Sequence, residues 1–193
     1  MKKMLKFAGA LAVAFALTQT IQAVPVTGAI GFHGSVTYDT SSAGDAHQVT
    51  SWITPLTGTS SGSFAGIAGN TAATFAAGIW NFAYGGPGIN NFWSVGGFSF
   101  QLLSSFVFAQ GGTPGQNGFV VVNGTGIVTG NGYTPTSMFW SFTSQDPATG
   151  SNPDTWTFSA SSNANGVPDG GATVMLLGIA LSGAALLRKK LTA

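Results

Sequence analysis

The chain contains no cysteine and no glutamate, and it has no lysine or arginine between Lys6 and Arg188. Each absence excludes something. Without cysteine no disulfide can staple the fold, so a buried core must supply its stability. A lipid-modified cysteine after an export signal is excluded too, and with it a bacterial lipoprotein. Without cations in the middle there is nothing to neutralise phosphates, which excludes nucleic-acid binding. The formal net charge of +1 hides this layout. Lys2, Lys3 and Lys6 stand at the front, and Arg188, Lys189 and Lys190 at the back. From Val24 to Val167 the only charged residues are Asp39, Asp45, Asp146 and Asp154, four acids and no cation.

What is present at the two ends forms a pair. Met1 to Lys6 is a basic leader, and Phe7 to Leu17 is an apolar run. Its length lies within the ~7–15 residues of a secretory signal core and is short for a membrane span. Thr18 to Gln22 is more polar and Ala23 is small, so residues 1–23 read as a signal peptide cut after Ala23, although Ile21 is larger than the ideal residue at its position. An uncleaved anchor is the alternative, and it exports the chain equally. At the other end Ala172 to Leu187 carries no charge. As a helix it would be roughly 24 Å long at ~1.5 Å per residue, slightly under an ordinary span. Arg188, Lys189 and Lys190 act as a basic stop that snorkels to the interface. Basic clusters mark the cytoplasmic side, so both ends agree on a topology that leaves the middle outside.

Val167-Pro168-Asp169-Gly170-Gly171 precedes the second apolar segment. Proline is disfavoured inside a helix and aspartate is a good N-cap, so these residues suit a helix start after a joint. The order of short motif, apolar helix and basic cluster also resembles the PEP-CTERM class of bacterial C-terminal sorting signals, in the variant named for Val-Pro-Asp-Ser-Gly. Gly170 stands where that variant has serine. The resemblance implies an exosortase partner, a membrane-embedded cysteine transpeptidase, acting after the secretion machinery. It would recognise Val167 to Gly171, cut near them and transfer the chain to a surface acceptor. It also implies a link to exopolysaccharide, biofilm or floc. The membrane helix would then be a temporary anchor. Two stretches of the middle, Gly34 to Thr40 and Val128 to Thr143, resemble segments attached to similar tails, more weakly.

The expected organisation is therefore a signal peptide over 1–23, a β-rich exported domain over 24–166, and a sorting signal over 167–193 that includes a transmembrane helix at 172–187 and a basic tail at 188–190. All five tryptophans lie in the middle part. Ile30, Phe32, Val36 and Tyr38 alternate onto one face, as do Phe98, Phe100 and Leu102. Trp80/Phe82, Trp140/Phe142 and Trp156/Phe158 repeat an aromatic–small–aromatic pattern. Period-two patterns of aromatic and β-branched residues indicate half-buried strands. Nine or ten short strands are expected, in an all-β sandwich or jelly roll. Asn-Gly pairs favour hairpin turns. Those at Asn117, Asn123 and Asn131 fit this, and the middle one predicts a hairpin joining Phe119–Val122 to Thr125–Val128. Thr71 to Ala77 reads equally as a short helix or a strand. An outer-membrane barrel would also alternate, but its strands need ~9–11 residues, and Gly-broken segments argue against that length.

The residue types for catalysis are sparse. General acid–base work needs paired carboxylates or a partnered histidine. Here Asp39 and Asp45 sit among turn residues, and His33 lies opposite the apolar stripe of its strand. No Gly-x-Ser-x-Gly elbow is present to motivate a serine nucleophile. The expectation is a non-enzymatic protein without cofactor. Asp39, Asp45, His47 and His33 match no strong metal spacing. The oxygen-rich loop from Asp146 to Asp154 could hold Ca²⁺ but more simply forms a turn. Two roles fit the middle. One is a structural matrix protein whose uncharged Ser/Thr/Asn surface mixes with polysaccharide. The other is a carbohydrate-binding module with Trp52, Trp93 or Tyr84 as stacking platforms. Exposure of those rings beside Asn or Gln would favour the second, and burial of the tryptophans the first.

Overall fold

A computed structural model describes residues 24–76, 78–147 and 156–164. The expected signal peptide, with its cut at Ala23, and the expected sorting tail, with Val167–Gly171, the helix at 172–187 and Arg188–Lys190, lie outside the described residues. No helix among the described residues is long and apolar enough to cross a membrane.

Among the described residues nine strands follow one another: β1 (Gly28–Tyr38), β2 (Gln48–Ser60), β3 (Thr74–Phe75), β4 (Trp80–Asn81), β5 (Ile89–Val95), β6 (Phe98–Gly111), β7 (Phe119–Gly130), β8 (Tyr133–Gln145) and β9 (Trp156–Ala164). A 3-10 turn, Gly62–Phe64, follows β2. The strands pair in the order β3-β5-β6-β7-β8-β9-β1-β2-β4, and every neighbouring pair is antiparallel. β5 to β9 form a meander. β9 then pairs with β1, closing the last described strand onto the first.

This corrects the expected sandwich or jelly roll. The described strands form one sheet, curled into a half-barrel, and not two sheets packed face to face. Residues 70–76 and 78–84 run along its open side. Thr57 and Thr71 share a 2.9 Å main-chain bond and Ala73 N–H reaches the Pro55 carbonyl at 3.0 Å, so this stretch lies along β2 before entering β3. Further on, Tyr84 and Ser105 exchange main-chain bonds of 2.9 and 2.8 Å, which brings the stretch onto β6. Thr71–Ala77 thus contributes a strand, as one of its two readings had it.

The predicted stripes are the inner face. Along β9 burial alternates residue by residue, with Trp156, Phe158, Ala160, Ser162 and Ala164 inside. Ile30, Phe32, Val36 and Tyr38, then Phe98, Phe100 and Leu102, then Trp140 and Phe142, are likewise buried. Their rings fill the curl. Trp140 lies 5.2 Å from Phe92, 6.2 Å from Phe32 and 6.3 Å from Trp80, centroid to centroid. Offset and edge-on pairs at such spacings add to the ~25 cal/mol per Å² of apolar burial.

Two expectations about strand length fail together. β7 runs unbroken through Asn123-Gly124, so the predicted hairpin does not form there. Gly124 sits opposite Trp140 on β8, on the buried side. A side chain there would press against the Ser104 carbonyl and the Leu102 methyl. The glycine therefore makes room between strands. The Asn131-Gly132 pair does turn the chain, with φ of 49° and 77°, between β7 and β8. Strands of 9 to 14 residues result for β1, β2 and β6 to β9, so length does not exclude a membrane barrel. Polarity does argue against it. Membrane barrels are apolar outside and polar inside. Here rings fill the inside, and Thr143, Thr157, Ser159 and Ser161 face out.

Candidate functional site

The three predicted stacking rings have different fates. Trp93 is fully buried and its indole N–H bonds Ser162 Oγ at 3.1 Å. It is a core residue, which removes it as a platform. Trp52 is half-buried. It stacks on Phe75 at 4.2 Å and on Trp80 at 5.9 Å, while Phe92, Phe142 and Phe158 meet it edge-on. Tyr84 is half-buried too, and with Trp52, Asn81, Ile79 and Ile89 it lines a largely apolar hollow of about 260 Å³. Trp80, Trp140 and Trp156 are buried. Inward serines take up two indole N–H groups, Ser105 for Trp80 and Ser162 for Trp93. That of Trp140 has no partner among the described residues.

A second hollow lies on the outer face. Phe119, Val121, Thr143, Gln145, Thr157 and Ser159, from β7, β8 and β9, line a groove of about 470 Å³. No charged side chain lines it. The Thr143 hydroxyl bonds the Ser159 carbonyl at 3.2 Å. The ring of Phe119 is 39% exposed at one end. An aromatic face beside hydroxyls and an amide, without charge, is a surface suited to a neutral polar ligand.

The imagined metal cluster does not assemble. His33 is exposed on the outer face. Asp39 meets His47 at 3.5 Å at the surface and accepts the His47 main-chain N–H at 3.0 Å, so it caps a turn. Asp45 is exposed. No three His, Cys, Asp or Glu side chains gather among the described residues.

Sequence reasoning missed the role of Asp146. It is only 6% exposed, and four donors converge on it. Oδ2 accepts from Ser42 Oγ at 2.7 Å and from the Gly115 N–H at 2.8 Å, while Oδ1 accepts from the Ala43 N–H at 2.7 Å and from Trp156 Nε1 at 3.1 Å. Burial by itself would raise its pKa. The bonds from Ser42, Ala43, Gly115 and Trp156 outweigh that and hold it below the usual carboxylate value. One carboxylate thus ties three loops at one end of the half-barrel, those following β1, β6 and β8. Its oxygens are occupied by the protein's own donors, which fits the turn reading of this stretch and not the Ca²⁺ alternative. The rest of that loop, from Ala148 to Asp154, lies outside the described residues. The signal was available: Met138, Trp140, Phe142 and Ser144 point inward, and period two carries the next inward position to Asp146. Beside it the Tyr38 hydroxyl is buried without a hydrogen-bond partner among the described residues. Burial above all raises its pKa well beyond the usual tyrosine range; the nearby Ser144 hydroxyl, which donates to the Thr157 carbonyl at 2.7 Å, opposes this, and the Asp146 charge adds to it.

At the opposite end of the half-barrel lies Ala164, the last described residue of β9, three residues before Val167 in the sequence. No curated protein and no solved structure matches the chain. Residues 166–191 do match a family model, described as the VPDSG-CTERM motif, and so the chain carries a C-terminal tail of the PEP-CTERM-like kind that exosortases recognise.

Proposed function

We propose that this is an exported, non-enzymatic surface protein whose β-rich part is delivered to an exopolysaccharide matrix after an exosortase cuts at Val167–Gly171. The observation that carries the reading is the VPDSG-CTERM match over 166–191, set behind a stretch without a single cation. An export leader ending at Ala23, the helix at 172–187 and the stop at Arg188, Lys189 and Lys190 supply the passage and the temporary hold. The burial of four of the five tryptophans supports a structural role for the β-rich part. Mass spectrometry of the mature C-terminus tests the reading. A terminus near Asp169 or Gly170 with added mass is expected, and a chain still ending at Ala193 would sink it.

The outer groove supports a second reading, a carbohydrate-binding surface. Its platform would be Phe119 with Gln145 and Thr157, in place of Trp93; the half-buried Trp52 and Tyr84 line the smaller hollow. Glycan-array binding lost in Phe119→Ala and Gln145→Ala would favour this role, and an array without any bound glycan would leave the structural one.

A further inference from the structure

The strand registers set the outward side chains in rows that run across the strands. One row is Val121 on β7, Thr143 on β8, Ser159 on β9 and His33 on β1, each directly opposite the next. A second begins with Phe119 opposite Gln145 and ends with Thr157 opposite Ser35. The first three positions of both rows line the outer groove. Its floor is therefore two rows deep and three strands long, and Ser35 and His33 carry the rows on to β1.

Neighbouring strands lie ~4.8 Å apart, so a row offers one side chain every ~4.8 Å. That is close to the advance per sugar of an extended β-1,4-linked chain. An α-1,4-linked chain coils and cannot keep step with a straight row. Sheet twist, roughly 20–25° between adjacent strands, limits the match to a few sugars. The polar groups of the floor are available. The side chains of Gln145, Thr157 and Ser159 have no hydrogen-bond partner among the described residues. The Thr143 hydroxyl donates to the Ser159 carbonyl at 3.2 Å and keeps its lone pairs for an incoming donor.

Charge narrows the ligand further. The described residues hold the carboxylates of Asp39, Asp45 and Asp146 and no lysine or arginine. Asp146 directly follows Gln145, and its oxygens are already occupied. A uronate or sulfated chain would enter this field without any counter-charge.

We infer that the groove holds a neutral, extended β-1,4-linked glycan laid across the strands, one sugar to each of β7, β8 and β9. This rests on the carbohydrate-binding reading of the groove and adds the class and direction of the chain. Phe119 takes the apolar face of the first ring. Gln145 and Thr143 meet the second sugar, and Thr157 and Ser159 the third. Ser35 and His33 stand beside a fourth.

The test titrates the full-length chain, in detergent micelles, by calorimetry. The probes are cello-, manno- and chito-oligosaccharides of increasing length, all β-1,4-linked and neutral. Malto-oligosaccharides differ from the first series in linkage alone, and β-1,4-linked mannuronate oligomers differ from the second in charge. At least one neutral β-1,4 series should bind, with affinity rising up to about three or four sugars and then levelling off. Chelator and added salt should leave it unchanged. The α-linked and anionic controls should bind about tenfold or more weakly. Phe119→Ala and Gln145→Ala should each weaken the longer oligomers severalfold with unchanged circular dichroism, and His33→Ala should matter only from the fourth sugar on. If no series binds, the carbohydrate-binding reading itself falls. Controls that bind as tightly as the neutral β-1,4 series, or affinity that stops rising after one sugar, would overturn the extended neutral chain alone. Binding that survives both Phe119→Ala and Gln145→Ala would place the glycan elsewhere and overturn this site.

Discussion

The two ends of the half-barrel are held by opposite means. At one end a single charge, the Asp146 carboxylate, collects donors from Ser42, Ala43, Gly115 and Trp156. At the other, Gly28 and Gly62 approach each other so closely that neither tolerates a side chain, and the N-terminal segment is laid beside β8 by main-chain and hydroxyl bonds. A carboxylate can satisfy many orphaned N–H groups at once but is sensitive to protons. Backbone packing is insensitive to pH but intolerant of added atoms. The end that precedes the sorting motif is the one built without a carboxylate.

The largest expected effect breaks the charged end. Asp146→Ala leaves several buried donors without an acceptor and should cost about 3–5 kcal/mol in denaturant unfolding. A loss below about 1 kcal/mol would mean that water replaces the carboxylate. Gly28→Ala tests the packed end. The unfavourable φ and the clash with Ser61 should cost about 2–3 kcal/mol, with Gly62→Ala giving a similar loss. Acid should separate the two ends. Because the folded pKa of Asp146 is depressed, its contribution is fully present above the unfolded value near ~3.9 and is lost as pH falls through the folded value. Amide protection at Ala43 and Gly115 should therefore fall in acid before that at Val26. Equal loss at both ends would remove the contrast. The smallest effect is expected at the surface pair, where Asp39→Asn should shift stability by no more than about 0.5 kcal/mol in a thermal melt.

The alternating stripes, and with them every inward aromatic on β1, β8 and β9, were legible because period two is a local property. The turn at Asn131-Gly132 was legible for the same reason. Asn123-Gly124 misled because the same dipeptide serves a turn and a tight strand contact. Local sequence does not say that Trp140 lies across from Gly124. Trp93 misled because alternation gives a face but not which face is covered. The β8 alternation extends to Asp146, yet its role was not legible, because its donors come from loops far apart in the chain.

By itself the sequence determined the charge asymmetry, the cation-free middle, the strand faces and the tail motif, all of which are written in composition and short-range order. Only the tertiary structure decided that one sheet curls on itself, that β1 closes against β9, that Asp146 ties three loops, and that Val24–Val26 take the place next to β8. The reason is physical. These pairings join segments separated by most of the chain, and their selection depends on which rings fill one shared interior.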